Sequence, residues 1–127
     1  IIGSAAGTCK AAVDEIREKT GKKVGILKIR VFRPFPEEEI AQALKNVKSV
    51  AILDRSEMFA GTGGPLGAEV TAALYRAGMF KEVVNYIYGL GGRDITVSDF
   101  EDVYDELARM AQTHEVRDNY KYIGLRE

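Results

Sequence analysis

The sequence predicts an α/β protein with a three-layer α/β/α architecture built on a mainly parallel, doubly wound sheet. Strand-like and helix-like segments alternate along the 127 residues, and the connections between them are short. Residues 49–54, "SVAILD", are continuously apolar between Ser49 and the final aspartate, which is typical of a strand covered on both faces. Repeated strand–helix units of this kind imply right-handed crossovers with helices on both faces of the sheet.

The first half of the chain contains two of these units. "IIG" (1–3) is the end of a strand, and the helix after it ends at Gly21. Residues 23–32 are rich in β-branched side chains and predict a second strand, which "RPFP" ends because proline cannot donate to a ladder. A second helix begins at Pro36, with three glutamates in its first turn near the positive end of the helix dipole.

The second half adds two more units. The strand over residues 49–54 leads to a helix that begins at Pro65 and ends near Gly78, and residues 83–88 form the fourth strand. Ser98 and Glu101 predict a capping box for the last helix. Residues 1–127 are predicted to form a single domain, with 115–127 as an irregular tail that docks on this domain or on a partner. The predicted inward-facing residues are Ala5, Cys9, Ala12, Val13 and Ile16 in the first helix and Ile40, Ala43, Leu44 and Val47 in the second. They are Leu66, Val70, Ala73, Leu74 and Ala77 in the third helix and Phe100, Val103, Tyr104, Leu107 and Met110 in the fourth.

Composition excludes several classes of function. A formal net charge of −1 gives no electrostatic reason to expect nucleic acid or an anionic membrane as partner, and no apolar run approaches the roughly 20 residues that span a bilayer. Cys9 and His114 are the only cysteine and histidine, which excludes a cysteine-based cluster and a multi-histidine metal centre and makes the cytoplasm the default compartment. Cys9 is predicted to be an inert core residue, and His114 a dipole partner late in the last helix. Because the chain opens inside a strand and without Met, we expect it to be a fragment of a longer one.

The segment after the third strand raises the question of a phosphate-binding loop. Gly61 and Gly63 begin a G-x-G-x-x-G pattern, but Leu66 stands where the third glycine belongs. Two interpretations stay open: the glycines permit positive φ and close strand–helix packing, which we favour, or an anion binds at the helix after Gly64. Asp54 and Arg55 lie at the strand end, where active sites gather, yet the sequence offers them no complete catalytic set. A structural ion pair or a contact to a neighbouring domain is the favoured role.

Several phrases in this order carry a family resemblance: "GSAAGT", "KVGILKIRVFRPFP", "VKSVAILDRSEMFAGTGGPLGAEV" and "VNYIYGLGGRDIT". Together they resemble the C-terminal part of the α subunit of 2-oxoacid:ferredoxin oxidoreductases, and in particular of pyruvate:ferredoxin oxidoreductases (pyruvate synthases). The resemblance covers nearly the whole chain, and "RPFP", "LDR" and "YGLGGRD" are its most specific elements. It implies a fold similar to the C-terminal domain of transketolase, with the four strands in the order 2-1-3-4 and an antiparallel edge strand supplied by residues before Ile1.

The resemblance also implies a role. The whole enzyme oxidises pyruvate with coenzyme A to acetyl-CoA and carbon dioxide, passes electrons to ferredoxin, and uses thiamine diphosphate, Mg and [4Fe-4S] clusters. This domain is expected to bind none of these cofactors, to be inactive alone, and to serve as scaffold. Its implied partners are the preceding domain of the same α subunit and the β, γ and δ subunits. The residues expected at such contacts are Asp54, Arg55, Gly61, Gly63, Gly64, Gly91, Gly92 and Arg93.

Two functional hypotheses therefore stand side by side. The first is a non-catalytic domain of a pyruvate (2-oxoacid):ferredoxin oxidoreductase, with 2-oxoglutarate or branched-chain oxoacids as rival substrates. The second is an autonomous doubly wound module that binds a nucleotide or phosphate at its glycine loops. On the first hypothesis, Asp54→Ala should damage assembly or activity of the enzyme more than folding of the domain.

Overall fold

The computed structural model describes residues 1, 5–21, 23–30, 33–55, 63–89, 95–116 and 120–123. Within these ranges the helices are α1 (Ala5–Thr20), α2 (Glu37–Ala43), α3 (Pro65–Arg76) and α4 (Val97–Thr113). The strands are β1 (Ser49–Asp54), β2 (Glu82–Ile87) and β3 (Tyr120–Tyr122). Among the described residues, no helix is long and apolar enough to cross a membrane.

The strands form a parallel sheet in the order β1-β2-β3. β1 pairs with β2 along its whole length, from Ser49 opposite Glu82 to Asp54 opposite Ile87. Helices cover both faces because alternate residues of β1 point in opposite directions: Val50 and Ile52 pack with α2 and α3, whereas Leu53 packs with α1 and α4. The predicted three-layer α/β/α fold with a parallel sheet is confirmed.

The C-terminal segment corrects one prediction. Tyr120–Tyr122 are not an irregular tail but a strand that pairs in parallel with β2, and Ile123 N then donates to Ile87 O at 2.8 Å. Ile123 also packs against the core on the α1 and α4 side. At these residues the tail docks on its own domain, because β2 offers the unpaired backbone groups that a three-residue segment needs in order to be extended.

An ion-pair network holds this last strand against α4. Arg109 donates to Glu106 within α4, and Lys121 Nζ of β3 lies 3.5 Å from Glu106 Oε1. The hydrogen bonds from Arg109, together with the charge of Lys121, lower the pKa of Glu106 to about 2. Glu106 is therefore ionised at neutral pH and forms an ion pair with Lys121 of β3.

The predicted second strand is only partly supported. Residues 23–30 do not form a regular strand, contrary to the prediction, and 31–32 lie outside the described residues. Yet the backbone of Ile1 donates to Leu27 O at 3.1 Å and accepts from Ile29 N at 2.9 Å. That alternation is the hydrogen-bond pattern of a parallel pair, so the first two predicted strands are neighbours where both are described.

The helix ends show where local patterns mislead. α1 ends at Gly21, whose φ is +68°, as predicted. α2 is shorter than predicted: it stops at Ala43 and a turn follows. Within the helix Ala41 is buried and Ala43 is exposed, whereas Val47 is exposed because it lies beyond the turn. A helical stripe that is extended past a turn selects the wrong residues, since the chain changes direction there. Ala77, just beyond α3, is exposed for the same reason.

The capping box of α4 lies two residues earlier than predicted. Thr96, not Ser98, has the extended N-cap conformation, and its Oγ1 accepts from Asp99 N at 3.2 Å. Asp99 Oδ2 accepts in turn from Thr96 N at 2.9 Å. Aspartate thus fills the role that the sequence pattern assigned to Glu101.

Candidate functional site at the carboxyl end of the sheet

The described members of the predicted contact set meet at the carboxyl edge of the sheet. Asp54 ends β1, and its carbonyl oxygen accepts from Tyr88 N, just after β2, at 2.9 Å. Arg55 follows Asp54, while Gly63 and Gly64 immediately precede α3. The remaining predicted residues, Gly61, Gly91, Gly92 and Arg93, lie outside the described residues.

The carboxylate of Asp54 caps the N-terminus of α3. Asp54 is only 5 % exposed, its Oδ1 accepts from Leu66 N at 2.8 Å, and its Oδ2 accepts from Gly67 N at 2.8 Å. The helix needs a cap from elsewhere because its own N-cap residue is Gly64, which has no side chain. A negative charge at this position also interacts favourably with the helix dipole. Asp54 is therefore a capping residue for α3, supplied by the preceding strand β1.

Asn85 completes the same hydrogen-bond network from the centre of β2. Its Oδ1 accepts from Gly64 N at 2.7 Å. Its Nδ2 donates to Ile52 O at 2.8 Å and to Asp54 Oδ2 at 3.0 Å. Asn85 is 7 % exposed, and no buried side-chain nitrogen or oxygen of the described residues lacks a hydrogen-bond partner. We call Asp54, Asn85 and the amides of Gly64, Leu66 and Gly67 the Asp54–Asn85 network.

The glycines around this network allow strand and helix to approach closely. A β-carbon at Gly64 would overlap the Asp54 side chain, and one at Gly67 would overlap the Asn85 amide. Gly63 has a φ of +114°, a conformation that side chains disfavour. The prediction is confirmed, with positive φ at Gly63 and close strand–helix packing at Gly64 and Gly67. The alternative of an anion at the start of α3 is wrong, because the Asp54 carboxylate and the Asn85 amide oxygen already accept from its N–H groups.

Arg55 is the exposed member of this edge. The central carbon of its guanidinium lies 5.8 Å from the centroid of the Tyr88 ring, within the range of a cation–π contact. The arginine side chain also runs against the backbone of Gly89, where a β-carbon would lie 2.9 Å from Arg55 Nε. Burial raises the pKa of Tyr88, and the nearby Arg55 charge opposes that shift. Among the described residues, neither Asp54 nor Arg55 forms an ion pair: Asp54 caps α3, and Arg55 contacts Tyr88 and Gly89. The predicted ion pair is therefore not found in this part of the chain.

The single histidine lies at the opposite end of the sheet. His114 is the left-handed C-cap residue of α4, with φ of +56°, and its Nδ1 lies 3.1 Å from Glu82 Oε1. Glu82 begins β2 whereas Asp54 pairs with the last residue of β2, so the two ends are separated by about 16 Å at 3.3 Å per residue. His114 and Asp54 therefore cannot act together as base and partner.

The single cysteine is a core residue, as predicted. Cys9 is 4 % exposed, and its Sγ lies 3.5 Å from the Tyr104 hydroxyl, which donates to Gly25 O at 2.8 Å. Burial raises the pKa of the Cys9 thiol, so it is protonated at neutral pH and a poor nucleophile. Within the described ranges, no three His, Cys, Asp or Glu side chains are arranged to hold a metal ion.

Sequence reasoning missed Asn85 as a site residue. The signal was present: "VVNYIY" places one amide side chain in the middle of an otherwise apolar and aromatic strand. A buried amide needs hydrogen-bond partners, so its position next to the strand that ends in Asp54 indicated a polar network at this edge.

Comparison with known proteins places the chain in a family. The model of the pyruvate:ferredoxin oxidoreductase core domain II matches residues 1–100. Ketoisovalerate oxidoreductase subunit VorA of Pyrococcus furiosus is 44 % identical over 115 residues, which are 91 % of this chain and 29 % of that protein. Pyruvate synthase subunit PorA of Thermotoga maritima is 41 % identical over 126 residues, 99 % of this chain and 31 % of that protein.

A third relative is named for another 2-oxoacid. The α subunit of NADH-dependent phenylglyoxylate dehydrogenase of Aromatoleum evansii is 45 % identical over 105 residues, which are 83 % of this chain and 25 % of that protein. The chain thus spans less than a third of the length of these relatives. Since the family model matches most of the chain, the resemblance in the sequence is confirmed. The chain belongs to the family of the pyruvate:ferredoxin oxidoreductase core domain II, in the region of the α-type subunits of 2-oxoacid:ferredoxin oxidoreductases.

Proposed function

We propose that this chain is a non-catalytic scaffold domain of the α subunit of a 2-oxoacid:ferredoxin oxidoreductase. The whole enzyme converts pyruvate and coenzyme A to acetyl-CoA and carbon dioxide and reduces ferredoxin. The observation that carries the scaffold role is the Asp54–Asn85 network. At the edge where doubly wound sheets bind their ligands, the buried polar groups are engaged with one another.

The cofactors of such an enzyme do not fit the donor groups of this chain. A cluster is held by several thiolates, and Cys9 is the only cysteine in the sequence. The carboxylate at the start of α3 repels a diphosphate at the point where the backbone would otherwise attract one. Thiamine diphosphate and the clusters supply the decarboxylation and electron-transfer chemistry when bound, and we place them, with Mg, in other parts of the enzyme.

Contact with those other parts is proposed for the carboxyl edge. Arg55 is exposed there and is held over Tyr88, so its charge is presented in a fixed direction. Asp54, Gly63 and Gly64 support this edge indirectly, because they determine where α3 begins. The glycine segments that contain Gly61, Gly91, Gly92 and Arg93 complete the proposed surface, whose partners are the preceding domain of the same subunit and the β, γ and δ subunits.

Substrate choice is assigned to the rest of the enzyme. Relatives of similar identity to this chain, between 41 and 45 %, are named for ketoisovalerate, pyruvate and phenylglyoxylate. The same domain architecture thus accompanies three different 2-oxoacids. A domain that selected the substrate would be expected to diverge with it.

A domain exchange tests the proposal. Residues 1–127 replace the corresponding segment of the pyruvate synthase subunit PorA of Thermotoga maritima, which is co-expressed with its partner subunits. We expect assembly, unchanged thiamine and iron content, and pyruvate-dependent reduction of ferredoxin within about tenfold of the parent enzyme. A changed preference between pyruvate and 2-oxoisovalerate would contradict the scaffold role, because substrate choice would then travel with this domain.

Calorimetry addresses the rival hypothesis of an autonomous nucleotide- or phosphate-binding module. The chain is titrated with ADP, thiamine diphosphate and coenzyme A, and we expect no saturable heat. Micromolar binding of any of them would favour the rival. Arg55→Ala then serves as the control that asks whether binding occurs at the carboxyl edge.

A further inference from the structure

A pair of exposed aromatic rings stands at the amino end of the sheet, opposite the Asp54–Asn85 network. Tyr75, near the end of α3, is 70 % exposed, and Phe80, just before β2, is 78 % exposed. Their ring centroids are 5.7 Å apart with an interplanar angle of 66°, an edge-to-face contact that holds both rings in place. We call these two side chains the aromatic patch. Preformed aromatic surface of this kind is enriched at protein interfaces.

The surroundings of the aromatic patch contain more cations than carboxylates. Residues 75–81, which contain both rings, lie beside residues 44–48, because Lys81 Nζ donates to Lys45 O at 3.0 Å and to Val47 O at 2.6 Å. These two segments contain four cationic residues and no carboxylate, but Glu82 follows Lys81 directly and Glu38 lines the same shallow cavity as Lys45 and Met79. One of the four, Arg76, is paired with Glu37 at 2.9 Å. When Glu38 and Glu82 are counted as well, the other three cations, Lys45, Lys48 and Lys81, leave the rim of the patch with an excess of one positive charge.

The size of the patch indicates what kind of partner covers it. Two aromatic side chains at these exposures present roughly 300 Å² of apolar surface, given 150–250 Å² for a whole ring side chain. An interface between independent proteins needs about 800 Å² from each partner. The patch is therefore too small to hold a separate protein by itself, but it suffices for a surface that is tethered to the domain and so has a high effective concentration. A second copy of the chain is disfavoured because it would place one basic rim against another.

We propose that the aromatic patch docks on an acidic surface of the same subunit, in the portion that lies outside these 127 residues. The inference rests on the proposed function, in that the chain forms part of a longer α subunit. Relatives that match 91–99 % of this chain extend over more than three times its length, so most of the subunit is available as the tethered partner. Apolar residues of that surface cover the rings, and its carboxylates face Lys45 and Lys48.

Photo-cross-linking in the complete, assembled enzyme tests the inference. A benzophenone amino acid replaces Phe80, and mass spectrometry identifies the peptide to which it cross-links. We expect one major product within the same subunit, on a peptide rich in Asp or Glu. The same group in place of Lys10, which is exposed on α1, serves as the control and should not give that product. A cross-link to another subunit, to a second copy of this subunit, or to no protein at all would overturn the inference.

Charge reversal gives a second measurement, made with the same benzophenone group in place of Phe80. Lys45→Glu with Lys48→Glu should lower the yield of the Phe80 cross-link at least fivefold at low salt, and an unchanged yield would refute the acidic partner. Pyruvate-dependent reduction of ferredoxin is measured on the same samples. If the cross-link goes elsewhere while that activity is intact, the docking inference fails and the proposed function stands. If the enzyme containing this domain lacks the activity, the proposed function fails irrespective of the cross-link.

Discussion

Replacing Asp54 by alanine should destabilise the domain itself. The substitution removes both oxygens that accept from Leu66 N and Gly67 N, together with the acceptor for Asn85 Nδ2. Because these donors are buried, they are left without partners unless water enters between β1 and α3. The sequence alone predicts that Asp54→Ala affects assembly more than folding. The Asp54–Asn85 network leads to the opposite expectation.

The magnitude follows from the contacts that are lost. Loss of a helix N-cap costs about 1 kcal/mol, and each buried donor left unpaired costs about 1–3 kcal/mol. With two backbone N–H groups affected and partial rescue by water, we expect Asp54→Ala to lower the free energy of unfolding by about 3–5 kcal/mol. Domains of this size have about 5–15 kcal/mol in total, so the variant loses a large fraction of the stability and approaches the limit of folding if the parent lies at the low end of that range. Asp54→Asn keeps one acceptor oxygen and should lose less.

Urea denaturation followed by circular dichroism measures these differences in the 127-residue chain. The matched control is Asp14→Ala, which removes an exposed carboxylate from α1 and should change stability by no more than about 0.5 kcal/mol. A loss below about 1 kcal/mol for Asp54→Ala would refute the capping role, since the network could not then be satisfied by this carboxylate. Faster hydrogen exchange at the Leu66 and Gly67 amides would locate the effect at the start of α3.

Three further predictions concern packing, capping and pH. Gly67→Ala should destabilise the domain by about 2 kcal/mol or more, because the added methyl group overlaps the buried Asn85 amide. The control Gly7→Ala meets no atom within 4 Å and should stabilise α1 by about 0.5–1 kcal/mol. Equal effects of the two substitutions in thermal melts would contradict the close packing at Gly67. Thr96→Ala should cost about 1 kcal/mol in urea denaturation and Ser98→Ala much less, and the reverse order would restore the capping box expected from the sequence. Because the folded pKa of Glu106 is lowered to about 2, its stabilisation is present above the unfolded pKa of about 4.3 and is lost as pH falls toward 2. Glu106→Gln should therefore be less stable at pH 7 by about 1–2 kcal/mol, with a difference that vanishes near pH 2 in pH-dependent denaturation; a constant difference would rule out this ionic contribution.

Segments whose structure follows from their own composition could be predicted from the sequence. The strand at residues 49–54 is continuously apolar between Ser49 and its final aspartate, and β1 has those bounds. α3 begins at Pro65 and buries Leu66, Val70, Ala73 and Leu74, as its helical spacing indicates. In both segments the local sequence pattern and the burial of the apolar face favour the same element, so tertiary contacts do not change the prediction.

Features that depend on a distant part of the chain could not be predicted in this way. Tyr120–Tyr122 are extended because they pair with β2, and three residues are too short a segment to show from their own sequence that they will pair. Thr96 and Ser98 are both good cap residues, and the choice between them depends on how α4 packs, since helix starts are the least sharply encoded part of a pattern. The fold class is a property of repeated local signals, whereas these details are decided by tertiary contacts.

The same distinction explains why the glycine segment resembled a phosphate loop. Both kinds of junction need small residues where a strand approaches a helix, because the backbone amides at the helix start must come close to a negative charge. The two kinds of junction differ in the source of that charge. Here it is the carboxylate of Asp54, which lies 12 and 13 residues before Leu66 and Gly67 in the sequence. Asn85, on the neighbouring strand, donates to the same carboxylate. A glycine pattern alone cannot reveal the source. An aspartate at the end of the preceding strand, combined with an amide buried in the neighbouring one, indicates that the site is already occupied by the protein's own carboxylate, and this pair of residues is the signal that separates a structural junction from a ligand-binding one.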